Sequence, residues 1–233
     1  MTTNEIWHGD SLELGHNIEG EIKCVLTDPP YGVNYRSRHA TTPEGLRWVK
    51  DVANDLDLTG ALGLFQDVMD VVLPKCADEA ELYVFTRWDI VGDWIDAVRS
   101  LSRHGFKYKM MLIWNKMEPG TGDIDSNWGC GHELILYAKK GLRKVPYRRS
   151  GVLNYEKVPP SKIIHPTEKP VPLLEELLKI STNPGDLVVD PFSGSGSSSK
   201  AAQQLGLNSI GIELDADHVR HSRNRLEMDT LFV

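Results

Sequence analysis

Cysteine is scarce in this chain of 233 residues: Cys24, Cys76 and Cys130 stand far apart, without CxxC spacing. An odd, unpaired set supports neither a disulfide framework nor a zinc site, and reads as free, buried thiols of a reducing cytosol. Long apolar runs are missing too. Nothing approaches the ~20 residues of a membrane span, and the opening MTTNEIWHGD lacks the basic-then-apolar pattern of a secretion signal. The expectation is a cytoplasmic protein without a membrane partner. Positive charge is in deficit, with 26 Lys and Arg against 33 Asp and Glu and a formal charge of −7, which over the whole chain argues against a large polyanion as partner. There is no internal repeat and no low-complexity tract. What is present is ordinary: 40% hydrophobic, 25% charged and 8% aromatic residues exclude disorder, collagen and coiled coil.

Short apolar runs alternate with amphipathic stretches, which implies crossover connections and a mainly parallel sheet. Strands are expected near Glu5 to His8, Lys23 to Thr27, Glu81 to Thr86, Lys109 to Asn115, Glu133 to Ala138, Leu187 to Asp190 and Ser209 to Glu213. Helices are expected over 61–75, 89–103, 170–181, 197–205 and 215–228, with Asp89 and Asp215 at N-cap positions and Gly105 and Gly206 after helix ends. The fold class is therefore α/β, with one doubly wound, mostly parallel sheet of seven strands in a single domain over 1–233. Three segments break the rhythm, about 32–60, 117–131 and 141–169, and irregular segments at strand ends are where ligands bind.

Asp28-Pro29-Pro30-Tyr31-Gly32 follows the apolar strand Cys24-Val25-Leu26. Two prolines cannot donate to a ladder, so the strand stops and the turn is stiff. Such a turn presents a carboxylate and free carbonyls to a ligand amino group, with an aromatic ring beside them; it is equally a stiff strand exit with a solvated Asp and a packed Tyr. Further on, Val188-Val189-Asp190 runs into Pro191-Phe192-Ser193-Gly194-Ser195-Gly196-Ser197 and a helix, a small-residue loop that lets backbone approach a ligand. The loop fits neither GxxxxGK[ST] nor GxGxxG. About twenty residues later Glu213 ends a strand, where an acid accepts from ribose hydroxyls or simply caps. His165-Pro166-Thr167-Glu168-Lys169-Pro170, ahead of an amphipathic helix, is by itself only an extended turn.

Together and in this order, TDPPYG at 27–32, HPTEKP at 165–170 and DPFSGSGS at 190–197 resemble the S-adenosylmethionine-dependent DNA amino-methyltransferases, in their circularly permuted group. His8-Gly9-Asp10, Leu112-Ile113-Trp114-Asn115-Lys116 and Gly131-His132-Glu133-Leu134-Ile135-Leu136 resemble lesser motifs of that group, so the likeness spans nearly the whole chain. The resemblance implies a Rossmann-like fold and transfer of a methyl from S-adenosylmethionine to an exocyclic amino nitrogen of a flipped-out base. Asp28, Pro29, Pro30 and Tyr31 would be catalytic. Asp10, His165, Thr167, Lys169, Asp190, Phe192, Gly194, Ser195, Gly196, Ser197 and Glu213 would hold the cofactor, with Glu213 on the ribose, Asp10 near the adenine and Lys169 by the methionine carboxylate. An acid at the first catalytic position goes with adenine N6 more often than with cytosine N4 in that group. An RNA or single-stranded DNA enzyme, a nucleic-acid scaffold without turnover and a metal hydrolase are the rivals; the last lacks the second His of HExxH, and no metal site is expected.

One departure from the group is the short stretch 140–164 in place of a large target-recognition region, which shifts recognition to loops or to a second subunit of a homodimer. The stretch is basic: Lys139 to Lys169 holds nine Lys and Arg against Glu156 and Glu168. The DNA path is therefore expected along 139–169, with Arg143, Lys144, Arg148 and Arg149 as contacts, and with Arg36 and Arg38 on a lid over 33–60.

Overall fold

The computed structural model describes residues 2–32, 57–119, 128–159 and 168–227. The strands are β1 (Asn4–His8), β2 (Ile22–Thr27), β3 (Cys76–Thr86), β4 (Lys107–Asn115), β5 (His132–Lys140), β6 (Val152–Asn154), β7 (Leu187–Asp190) and β8 (Asn208–Glu213). The helices are α1 (Ser11–Leu14), α2 (Leu58–Val72), α3 (Val91–Ser100), α4 (Val171–Ser181), α5 (Ser197–Gln204) and α6 (Ala216–Glu227). One sheet runs β1-β8-β7-β2-β3-β5-β4-β6, parallel except for β5, which is antiparallel to both neighbours.

The seven expected strands are all present, and an eighth, β6, lies inside the stretch read as a basic insert, paired in parallel with the end of β4 from Ile113 to Asn115. Its three residues, exposed, buried and exposed, are too few to show a period. Of the segment 33–60 read as a lid, 33–56 lie outside the described residues, and the rest belongs to α2: Asp57 caps it by accepting from Gly60 N at 2.7 Å and residues 58–60 form its first turn. Asp89 is not a cap: it binds Arg87, leaving Ile90 to precede α3. Asp215 does cap α6, accepting from Asp217 N at 2.8 Å.

Strand alternation divides the core. Val25, Leu82, Val84 and Leu136 face Phe65, Val68, Trp94 and Val98 of α2 and α3, whereas Cys24, Leu26, Phe85 and Ile135 face Leu173, Leu174, Leu177 and Leu178 of α4 and Ala201 and Ala202 of α5. Trp94 and Phe65 are fully buried, their rings 5.2 Å apart edge to face. Truncating either removes about 3–5 kcal/mol of packing. Cys24 and Cys76 are buried and Cys130 half-buried, all free thiols, and burial pushes Cys76 up to about 12. The chain crosses from β7 through α5 to β8 on one side and from β2 through α2 to β3 on the other. The β7/β2 boundary is thus where strand order reverses, and a crevice forms beyond the carboxyl ends of strands at such a point.

Candidate active site

Thr27 closes β2 and donates its hydroxyl to Asp190 Oδ1 at the end of β7, 2.9 Å away. The strand exits carrying DPPYG and DPFSGSG therefore stand side by side at the reversal point. Asp28 follows, and with strand alternation it falls on the α4 face, as Leu26 does. Its Oδ2 meets Lys169 Nζ at 2.5 Å, and its Oδ1 accepts from the Tyr31 hydroxyl. Burial raises the Asp28 pKa, against the pull of Lys169. Tyr31 rises well above the phenol range through burial and the Asp28 charge, so it stays a donor. The Tyr31 ring packs edge-on to Trp94 at 6.1 Å. Gly32, at φ +70°, admits no side chain, since a Cβ would stand 2.1 Å from Asp57 O. Gly32 and Asp57 thus stand against each other at the β2 exit.

Lys169 differs from a solvated lysine. It is 7% exposed, ion-paired with both Asp28 and Glu133 and 5.1 Å over the Phe85 ring. Burial lowers its affinity for a proton, but the two carboxylates outweigh that and hold it charged. Glu133, on β5, in turn meets Lys116 at 2.6 Å; burial pushes its carboxyl up, and the two lysines bring it below the usual range. Glu133 and Lys116 escape a reading of catalytic motifs because they lie within strand-like runs. The cue in the sequence is a charge of opposite sign beside each of the apolar runs Met110 to Trp114 and Leu134 to Ala138.

The second half of the site is the loop after β7. Asp190 Oδ1 also accepts from Phe192 N at 3.1 Å, and Oδ2 accepts from Ser198 Oγ at 2.6 Å. Burial raises its pKa to about 6 despite these bonds. Gly196 is left-handed at φ +70° with a Cβ position 2.8 Å from Ser222, so glycine is required to bring the loop against α6. It precedes α5 with no side-chain cap, which leaves the first-turn N–H groups of that helix turned to the crevice end. Gly194 N donates to Glu213 Oε2 and Asp215 N to Glu213 Oε1, both at 2.8 Å. Burial acts to raise the Glu213 pKa, but the His218 side chain and these N–H groups bring it below the usual range. Arg225 of α6 binds Ser197 Oγ at 3.1 Å and Glu168 at 2.8 Å, tying Glu168 to this loop. Asp10 caps α1, accepting from Leu12 N at 2.8 Å, while Ser11 donates to the Pro191 carbonyl. Phe192 is half-buried against the core.

These acceptors and the α5 N–H groups suit a small nucleoside that carries an amino acid. A carboxylate oxygen holding one backbone N–H keeps a lone pair for a hydroxyl, as at Glu213; Asp190 suits an ammonium, and the uncapped α5 a carboxylate. Among the described residues no cluster of His, Cys, Asp and Glu fits a metal. His165, Thr167, Arg36 and Arg38 lie outside the described residues.

The basic path along 139–169 is only partly at this end of the molecule. β5 runs away from the site, so Lys140 pairs with Ala80 near the opposite edge. There Arg143 is bound to Ile180 O at 2.8 Å and faces the fully buried Glu81 at 3.6 Å, which Lys139 also faces at 3.5 Å. Arg143 is thus engaged by the protein's own backbone and by Glu81. Arg149 is bound to Glu176 of α4, and Lys144 and Arg148 are exposed.

Relatives agree with this architecture. The Escherichia coli K12 protein YubD is 31% identical over 224 residues, covering 94% of this chain and 88% of its own. The crystal structure of the M1.HpyAVI-SAM complex superposes with a TM-score of 0.70 at 22% identity, covering 97% of this chain and 100% of that one. The cytosine-N4-specific PvuII DNA methyltransferase gives 0.73 at 18% identity, over 97% and 87%. The family described as DNA methylase, of the N6/N4 type, matches residues 22–224. With β2 through β8 and most of α6 inside that match, the chain belongs to the N6/N4 DNA methylase family.

Proposed function

We propose that this chain transfers a methyl group to the exocyclic N6 of adenine in DNA, with the base turned out of the duplex. The observation that carries the reading is Asp28, held at the β2 exit beside the β7 loop by the bond between Thr27 and Asp190. S-adenosylmethionine, when bound, supplies an electrophilic methyl on its sulfonium. Glu213 would accept from its ribose, Asp10 would lie by its adenine with Phe192 against the adenosine, and Asp190 and the 194–197 loop would hold its methionine end. The SAM complex of M1.HpyAVI, which shares the fold, supports S-adenosylmethionine as the cofactor. The catalytic motif preceding the cofactor loop in the chain supports the permuted arrangement, and the run 1–233 reads as one catalytic domain.

An exocyclic amine is a poor nucleophile because its lone pair is delocalised into the ring. Asp28 Oδ1 and the Pro29 carbonyl accept its two N–H groups and favour a pyramidal nitrogen with the lone pair aimed at the methyl. The base displaces the Tyr31 hydroxyl from Oδ1, and the Tyr31 ring stacks on it. Alignment supplies much of the rate and no covalent enzyme intermediate is required. The acid at Asp28 favours adenine; cytosine N4 is the alternative that the fold shared with the PvuII enzyme keeps in play.

Asp28→Ala is expected to abolish methyl transfer while cofactor affinity, read by calorimetry, stays within about threefold of wild type. Sequencing that maps modified bases in DNA from expressing cells should show N6-methyladenine. Retained transfer in the variant, or methyl on cytosine N4 alone, overturns the corresponding part of the reading.

A further inference from the structure

Three positions at one edge of the sheet, the one formed by the carboxyl ends of the parallel strands, share the α4 face: Asp28 just past β2 and two residues beyond Leu26, Phe85 on β3, and Glu133 at the start of the antiparallel β5, two residues before Ile135. Lys169, two residues ahead of α4, lies across them. Its ammonium sits over the Phe85 ring at 5.1 Å, 2.5 Å from Asp28 Oδ2 and 3.2 Å from Glu133 Oε2, and the far side of Glu133 meets Lys116 at 2.6 Å. Lys116 in turn stands 5.0 Å over Trp114. We infer that Glu133 is a positioning residue for methyl transfer, acting through Lys169: by sharing the ammonium it fixes where that group stands, so that Asp28 Oδ2 is pinned and Oδ1 is presented to the substrate amine.

The inference rests on the catalytic reading of Asp28. Its physical basis is that a lysine bridging two carboxylates over an aromatic floor has one place to be, whereas a lysine with one partner follows that partner's rotamers. The row alternates in sign, Asp28, Lys169, Glu133, Lys116, so each charge is compensated without water. Orientation of Asp28 matters because a misdirected acceptor fails to pyramidalise the amine, and small misplacements cost large factors in rate.

The groups facing Asp28 are the Tyr31 hydroxyl from its own turn, Lys169, Glu133 of β5 and Asp190 of β7, with Arg87 beyond Tyr31. Glu133 opposes ionisation of Asp28 and Lys169 favours it, so the two have opposite signatures. The test is the pH profile of single-turnover methylation in Glu133→Gln and Lys169→Met, with thermal melts and cofactor calorimetry alongside. Expected are rates down about tenfold or more, the acid limb displaced to lower pH in Glu133→Gln and to higher pH in Lys169→Met, and cofactor affinity near wild type in Glu133→Gln. Should the Gln variant unfold, Glu133→Asp keeps the charge and shortens the reach: its limb stays in place while its rate falls. Folded variants with wild-type rates, or with both acid limbs unmoved, overturn the inference; Asp28→Asn is run in parallel, and activity in that variant instead overturns the reading of Asp28 itself.

Discussion

In the proposed reading Asp190 serves both the fold and the ligand, with opposite pH responses. Burial raises it from an ordinary Asp to about 6, while hydrogen bonds from Ser198, Phe192 N and Thr27 hold it in place. In the unfolded chain it titrates near 3.9. Between those values the folded protein binds the extra proton, so this group's contribution to stability increases as pH falls through about 6 and is lost as pH rises through it. Its contribution to binding a ligand ammonium runs the other way, because the protonated acid has no charge to offer. Cofactor affinity by calorimetry is therefore expected to weaken from pH 7.5 to pH 5, and Asp190→Asn to be weak and nearly pH-independent across that range. A variant with the wild-type pH response would show that Asp190 does not carry it. The variant should also melt no lower than wild type at pH 7.5, since removing a buried charge relieves its desolvation.

At the scale of elements, the connection from β5 to β6 shows what a charge count along the sequence averages over. Its lysines and arginines read as a solvated, phosphate-seeking surface, yet β5 runs antiparallel and delivers Lys139, Lys140 and Arg143 to the edge opposite Asp28. Arg143→Ala is expected to lower stability by roughly 2–4 kcal/mol, since Glu81 is fully buried and keeps Lys139 at 3.5 Å as a remaining cation. Denaturant melts measure this, and DNA affinity of the folded variant should be unchanged; a loss of affinity without a loss of stability would restore the contact reading. The contrast explains what a sequence yields. Strand alternation made β2, β7 and β8 and their exits legible, since apolar runs bounded by Pro and Gly carry their own ends. β6 has three residues and no period; β3 begins at Cys76 rather than Glu81 because Ala77, Asp78 and Glu79 carry no strand preference. The ion pairs of Lys169 and Arg143 join residues 141 and 62 positions apart in sequence, and no local pattern encodes such a pairing.

For the whole molecule, charge has to be counted by edge of the sheet rather than by segment. The net −7 and the local excess along 139–169 both average over opposite ends. The carboxyl ends of the parallel strands carry Asp28, the β7 loop and Glu213. That end also carries exposed Trp88 after β3, Met117 after β4 and Trp128 ahead of β5, side chains suited to bases rather than phosphates. β6 climbs back to it, so Lys157, 3.0 Å from Glu118 beyond β4, stands on the site side, whereas Lys144 follows Arg143 on the other. If DNA lies across the carboxyl ends, Lys157→Ala should reduce the slope of log affinity against log salt by about 1, the release expected for one phosphate contact, and Lys144→Ala should leave it unchanged. Fluorescence titrations over a salt series with a labelled duplex measure both slopes. An equal reduction in the two variants would mean that the duplex also reaches the opposite edge, and would return the β5 to β6 connection to the DNA path.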